Sequence, residues 1–307
     1  MKYAKLALAG FGAGLILAAS LGMNGLALAG PEYDPVTMDP PQIDPNYPPA
    51  VREVSFESHG DVLSGFVYLA GGPGPHPTVL LLHGLPGNEK NLDLAQVLRR
   101  GGWNVLFFHY RGAWGSEGTF GFRNSRQDVG AALAFLRAKA GSFRVDTDRL
   151  ALVGHSMGGY MALYGAAVDE KLRCVVAISP VDLGAYGMAI RKQREDGGAP
   201  PVRSGTQKLV MLKGASRILM NDEVAEHAEE LALSGFAGSL EGKKVMLIAG
   251  ARDAVLPPLM HEAIKSILEA VPGLDLTVAV LDADHSYSWK RLALSRRVNG
   301  WLDSECK

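Results

Sequence analysis

Six short runs of uninterrupted apolar residues constrain this chain more than any other feature. They are "TVLLLH" (78–83), "NVLFFHY" (104–110), "RLALVG" (149–154), "CVVAIS" (174–179), "KVMLIAG" (244–250) and "LTVAVLD" (276–282). A strand that is apolar at consecutive positions has both faces buried, as in a parallel sheet covered by helices on each side. Helical patterns lie between the runs, among them "NEKNLDLAQVLRRGG", "RNSRQDVGAALAFLRAKAG", "MGGYMALYGAAVDE" and "PPLMHEAIKSILEAV", with a last helix from about Tyr287 to Leu302. That alternation is the signature of an α/β fold. Ahead of it, "VREVSFES" and "DVLSGFVYLA" alternate in polarity around Ser58-His59-Gly60-Asp61, which predicts an antiparallel pair. The expectation is therefore one mostly parallel, eight-stranded sheet with helices on both faces. In such sheets the chemistry collects beyond the carboxyl ends of the strands.

Two segments stand outside this rhythm. About sixty residues, Val181 to Gly242, separate two consecutive strand candidates and predict a cap insertion at the carboxyl edge. Within it "RKQREDGGAPPVRSG" reads as loop and "DEVAEHAEELALSG" as helix. Residues 30–50 hold seven of the 17 prolines, with Asp-Pro at 34–35, 39–40 and 44–45. Proline fixes φ and removes a donor, so this segment is expected as an extended tether or an arm lying on the domain 51–307.

At the N-terminus, Lys2 and Lys5 precede an apolar stretch that ends in Ala27-Leu28-Ala29. That is the pattern of a secretory signal peptide cleaved after Ala29, which places the body of the protein in the periplasm or outside the cell. Left uncleaved, residues 6–29 are nearly long enough for a membrane anchor, the one membrane contact expected. The formal net charge of -1 offers no basic footprint for nucleic acid. Cys174, in an apolar strand, and Cys306, in the tail, have no ligand-type neighbours and are expected as two free thiols.

The residues just past the strand ends carry the chemistry. "LALVGHSMGGYMAL" runs from a strand into a helix through Gly154-His155-Ser156-Met157-Gly158. The pentapeptide alone is weak, but a strand-to-helix corner is where a nucleophilic serine is exposed on a strained turn. Acyl transfer also needs two backbone N–H groups for the oxyanion. Met157, after the serine, and Leu85, in the loop "LLLHGLPGN", are the candidates. His83 in that loop reads as a structural residue bonding loop backbone.

Asp253 follows the next-to-last strand, with Asp182 as its rival. His285, in "LDADHSYSW", follows the last strand. A neutral imidazole can take the serine proton and return it to the leaving group, and a buried carboxylate orients it. Asp284 reads as a helix cap. Trp114, Tyr287 and Trp289 are candidate pocket walls, for which ordinary packing fits as well.

The chain order Ser156, Asp253, His285, with the oxyanion loop upstream, resembles the α/β-hydrolase superfamily over nearly all of residues 51–302. Tyr110-Arg111-Gly112 to Gly118 is similar to a Y-R-G-x-G-x-S-x-G loop common there, with Ala113-Trp114 in place of one residue. "GHSMGGYM" resembles both bacterial esterases and the catalytic domain of prolyl oligopeptidase-type peptidases. Those peptidases usually carry His-Gly-Gly-Pro where this chain has His83-Gly84-Leu85-Pro86, together with an N-terminal propeller. The resemblance implies an α/β-hydrolase fold and a serine hydrolase of small acyl esters, with no metal and no cofactor. A peptidase or amidase, and a thioesterase, are the alternatives on the same triad. A binding protein that kept the fold without the activity is a more distant one.

Overall fold

The computed structural model describes residues 33–198 and 209–307. The expected signal segment, residues 1–29, lies outside them, as does 199–208 within the cap. The chain begins with β1 (Ala50–Ser58), β2 (Asp61–Leu69) and β3 (His76–Leu82), followed by α1 (Leu92–Arg100) and β4 (Asn104–Phe108). Next come α2 (Phe122–Ala138), the short α3 (Ala140–Phe143), β5 (Val145–His155), α4 (Met157–Val168) and β6 (Cys174–Ile178). The cap contributes α5 (Leu183–Glu195), α6 (Arg217–Glu226), α7 (Ala228–Leu231) and two 3-10 turns, Leu233–Gly235 and Ala237–Leu240. The chain closes with β7 (Lys244–Gly250), α8 (Pro258–Glu269), β8 (Asp275–Leu281) and α9 (Arg291–Glu305).

The strands form one eight-stranded sheet in the order β1-β2-β4-β3-β5-β6-β7-β8. β2 pairs antiparallel with β1 and β4, and the remaining neighbours pair parallel. Side chains alternate across a strand, and the two faces sort accordingly. Leu80, Leu82, Leu106, Phe108 and Leu152 join one buried cluster with residues of α2, α4 and α8. Val79, Leu81, Val105, Phe107 and Val153 join the other with residues of α1 and α9. Both faces of the central strands are thus covered, which is why their sequences are continuously apolar. Each such Leu or Phe contributes about 1.5–3 kcal/mol by leaving water.

β3 and β5 are neighbours whose chains depart to opposite faces, α1 to one and α4 to the other. Their carboxyl ends form the topological switch point of the sheet, the place where folds of this class put their sites.

The cap is more helical than its sequence suggests. Arg191 to Glu195 extend α5, whose first turn is capped by Asp182 accepting from the Gly184 and Ala185 N–H groups at 3.0 and 3.1 Å. The stretch read as one helix, 222–235, breaks at His227 into α6, α7 and a 3-10 turn. The cap docks through long-range bonds. Glu223 accepts from the Phe122 and Arg123 N–H groups at 3.0 and 2.9 Å, capping α2, whose own N-cap residue is Gly121. Tyr160 Oη donates to the Leu231 carbonyl at 2.8 Å.

Residues 33–49 lie on the domain as an arm rather than as a free tether. Val36 is buried, Arg100 Nε donates to the Pro35 carbonyl at 2.6 Å, and Arg296 pairs with Asp34 at 2.6 Å. The two cysteines are not free: Cys174 and Cys306 form a disulfide with a Cα separation of 6.1 Å across 132 residues of sequence. The expectation failed because α9 folds back over the sheet. Its end meets the start of β6, and Lys244, the first residue of the neighbouring β7, pairs with Glu305 at 2.7 Å.

Candidate functional site

Ser156 stands between β5 and α4 with φ 58° and ψ -121°, a conformation that strains a non-glycine residue. The corner closes so tightly that only glycines fit beside it. A Cβ on Gly154 would lie 2.0 Å from the Gly158 carbonyl oxygen, and one on Gly158 would lie 2.1 Å from that of Leu82. Ser156 N–H donates to the Ile178 carbonyl at 2.8 Å, pinning the corner to β6. Met157 is the first residue of α4, so its N–H has no acceptor within the helix. At the end of the neighbouring β3, a Cβ built on Gly84 would sit 3.0 Å from Ser156 Cβ and 3.6 Å from its Oγ. The loop bearing Leu85 therefore borders the serine.

His83 has the structural contact expected of it, Nδ1–H donating to the Gly84 carbonyl at 2.8 Å. Burial lowers this ring to about 4 against that bond, so it is neutral near pH 7.

Asp253 lies three residues beyond β7 with its side chain wholly enclosed. Its Oδ1 accepts from the Val255 and Leu256 N–H groups, both at 2.8 Å. Its Oδ2 accepts from His285 Nδ1 at 2.7 Å. Burial opposes the charge, but the close approach of His261, the bond from His285 and the Leu256 N–H outweigh it and hold the carboxyl well below its ordinary range. With Nδ1 committed to Asp253, Nε2 is the basic nitrogen of the His285 ring. The rival Asp182 is spent capping α5 and also accepts from Leu233 N–H at 3.2 Å.

Several supports escaped the sequence reading. His155, inside the pentapeptide, donates from Nε2 to the His285 carbonyl at 2.8 Å, and the two rings lie 4.7 Å apart. Burial, then the neighbouring His285, pushes His155 down to about 3, so it acts as a neutral donor. Arg291 joins the two loops of the site, bonding Asn91 Oδ1 at 3.0 Å and the Ser286 carbonyl at 3.1 Å and pairing with Asp93. His261 lies 3.6 Å from Asp253 Oδ2. The signal for it was its spacing with Ile264 and Leu268, which puts a histidine on the buried face of α8.

The pocket candidates divide. Tyr287 is not a pocket wall: it is fully buried, with its hydroxyl 2.9 Å from Ser179 Oγ, and it ties the His285 loop to the end of β6. Trp289 is 53 % exposed and donates to the Asp282 carbonyl at 2.7 Å. Trp114 is half-buried beside the Leu85 loop, donating to the Pro86 carbonyl at 2.8 Å with Lys90 Nζ 4.2 Å from its ring centre. Asp284 begins a turn, accepting from Ser288, and α9 starts only at Arg291.

The family model of the alpha/beta hydrolase family matches residues 79–294, and the chain belongs to that family. Among curated proteins it is 29% identical over 142 residues to the quorum-quenching protein AidA of Acinetobacter baumannii, covering 44% of this chain and 45% of the relative. It is 29% identical over 149 residues to the thiohydrolase apmlB of Arthrinium phaeospermum, 47% and 48% of the two chains. The matches thus span about half of those relatives. Among solved structures, an esterase of Pyrococcus furiosus superposes with a TM-score of 0.61 at 20% identity, over 88% of this chain and 98% of the other. The acylaminoacyl peptidase of Pyrococcus horikoshii gives 0.62 at 16%, over 84% and 42%. At these identities the structural likeness speaks to the fold.

Proposed function

We propose that this α/β hydrolase is a serine hydrolase that cleaves small carboxylic esters through an acyl-enzyme. The observation that carries the reading is the His285 Nδ1–Asp253 Oδ2 bond of 2.7 Å, at the same sheet edge as a serine held on a strained corner. Ser156 Oγ attacks the acyl carbon while His285 Nε2 takes its proton. The Met157 and Leu85 N–H groups receive the oxyanion. His285 then protonates the departing alcohol, the acyl group stays on Ser156, and a water activated by the same nitrogen releases it. Asp253 holds the ring and stabilises it while it is charged. The described parts of the cap, 181–198 and 209–242, bound the acyl side, and Trp114 is the wall nearest the Leu85 loop.

The reading extends to the compartment. The pattern of residues 1–29 and the Cys174–Cys306 disulfide both favour an oxidising environment outside the cytoplasm.

The test is turnover of chromogenic acyl esters of increasing chain length, run beside acyl thioesters and aminoacyl amides, with Ser156→Ala in parallel. Ester cleavage that the mutation abolishes is the expected result. Undiminished turnover by the mutant would overturn the mechanism, and turnover of amides or thioesters alone would move the substrate class.

A further inference from the structure

Asp253 is approached by two histidines. His285 Nδ1 stands 2.7 Å from Oδ2, and His261 Nε2 stands 3.6 Å from the same oxygen. His261 is 4 % exposed, and neither of its ring nitrogens has a hydrogen-bond partner within ordinary length. A buried imidazole without a partner is costly, so its orientation calls for a cause. Its position is set by α8, where it shares a face with Ile264 and Leu268 and is aimed at the carboxylate by the first turn of the helix. An ionised carboxylate only accepts, so a ring nitrogen facing it carries the hydrogen. The two backbone donors, Val255 and Leu256, occupy the other oxygen.

We propose that His261 is a positioning residue for the Asp253–His285 pair: its Nε2–H, directed at Asp253 Oδ2 from 3.6 Å, draws on the charge of that oxygen and so limits how strongly it binds the His285 ring. The inference rests on the roles of Asp253 and His285 proposed above. Two N–H groups directed at one oxygen share its charge, so the shorter bond is weakened. With His261 present, Asp253 is held in plane and ionised but stabilises the charged His285 less. The acid limb of the rate profile then lies lower with His261 present than without it. The other groups facing this pair are His155 from β5, Asp284 and Tyr287 from the loop before α9, and Arg291 from α9. None of them bonds Asp253 Oδ2, so removal of His261 isolates the effect.

The experiment is the pH profile of kcat/KM for the best ester, measured on the full chain and on His261→Leu, His261→Phe and His261→Gln. Leu and Phe lack the donor at two different volumes, so a folding failure of one leaves the other, while Gln restores an N–H. The acid limb of the Leu and Phe variants is expected to move up by on the order of half a pH unit, about threefold in kcat/KM on that limb, with KM little changed. The Gln variant is expected to return toward the parent. Acid limbs that superpose on the parent's, or a Gln variant displaced as far as Leu and Phe, would overturn the assignment. Ser156→Ala and His285→Ala are run alongside. If either keeps full turnover, the mechanism falls and takes the His261 role with it; if both are dead and the limb stays put, the His261 role alone falls.

Discussion

Asp253 and Asp128 are both enclosed, each with a side chain 0 % exposed, yet their carboxyls move in opposite directions. Asp128, on α2, accepts from Arg111 N–H at 2.8 Å, Arg111 Nε at 2.7 Å and Ser58 Oγ at 2.7 Å. It clamps the Tyr110–Gly118 loop to α2 and to the end of β1. Burial nevertheless prevails there and raises its carboxyl, against the hydrogen bonds from Arg111 and Ser58 and the Arg111 charge. Around Asp253 the donors prevail and lower it. Burial alone therefore does not identify a working carboxylate; the partner does. Arg111 is a permanent charge and cannot release a proton, so its pair is a fastening. An imidazole, unlike a guanidinium, can take up and release a proton, and His285 keeps a second nitrogen, so the same carboxylate contact can support proton transfer.

The largest effect that would break this contrast is on turnover. Asp253→Asn should lower kcat by about 10⁴-fold, since the amide no longer selects the working tautomer of His285. A mutant that kept its rate would void the comparison. Next comes stability. Asp128→Ala leaves Arg111 charged and unpaired in the interior and should cost about 3–5 kcal/mol in urea unfolding. The fraction still folded should cleave esters at near the parental rate, and a loss of kcat equal to that of Asp253→Asn would make Asp128 functional.

The smallest effect, and the sharpest, is a pair of opposite slopes in stability against pH. Asp253 is depressed in the folded state, so its contribution is full above about pH 4, the unfolded value, and is lost as pH falls below it. Asp128 is raised, so its contribution is full below about pH 4 and is lost as pH rises through its folded value. Asp253→Asn should remove a rising slope below about pH 4, and Asp128→Asn a falling one above it, each at most about 1.4 kcal/mol per pH unit. Urea titrations between pH 2.5 and 7, a range set by those values, read both, and slopes of the same sign would refute the contrast.

The central strands were readable in the chain because burial on two faces leaves them with no polar positions; β8 read the same way, but at the sheet edge only its Ala279 is buried. All eight strands fall within a few residues of the stretches read as strand. The corner at Ser156 was readable for a similar reason: backbone crossing at Gly154 and Gly158 admits no side chain. Asp253 and His285 could be nominated because a strand end gives a position. The remaining supports have no local signature. Glu223 caps a helix about a hundred residues earlier, Arg291 reaches back to Asn91 and Asp93, and Cys306 finds Cys174 after α9 returns across the sheet. His261 lies within a helical stretch that gave it no separate signal, and for Tyr287, readable as pocket wall or as packing, burial decides for packing.

The sequence by itself determined the sheet, the order of the strands' chemistry and the serine corner, because hydrophobic periodicity and steric exclusion act between residues close in the chain. Only the tertiary structure decided which buried polar groups meet: that Asp253 faces two histidines, that Asp182 is a cap, and that the cysteines pair. Those choices depend on where helices α5, α8 and α9 land on the sheet, and that is fixed by the summed packing of whole faces, which no short stretch of sequence encodes.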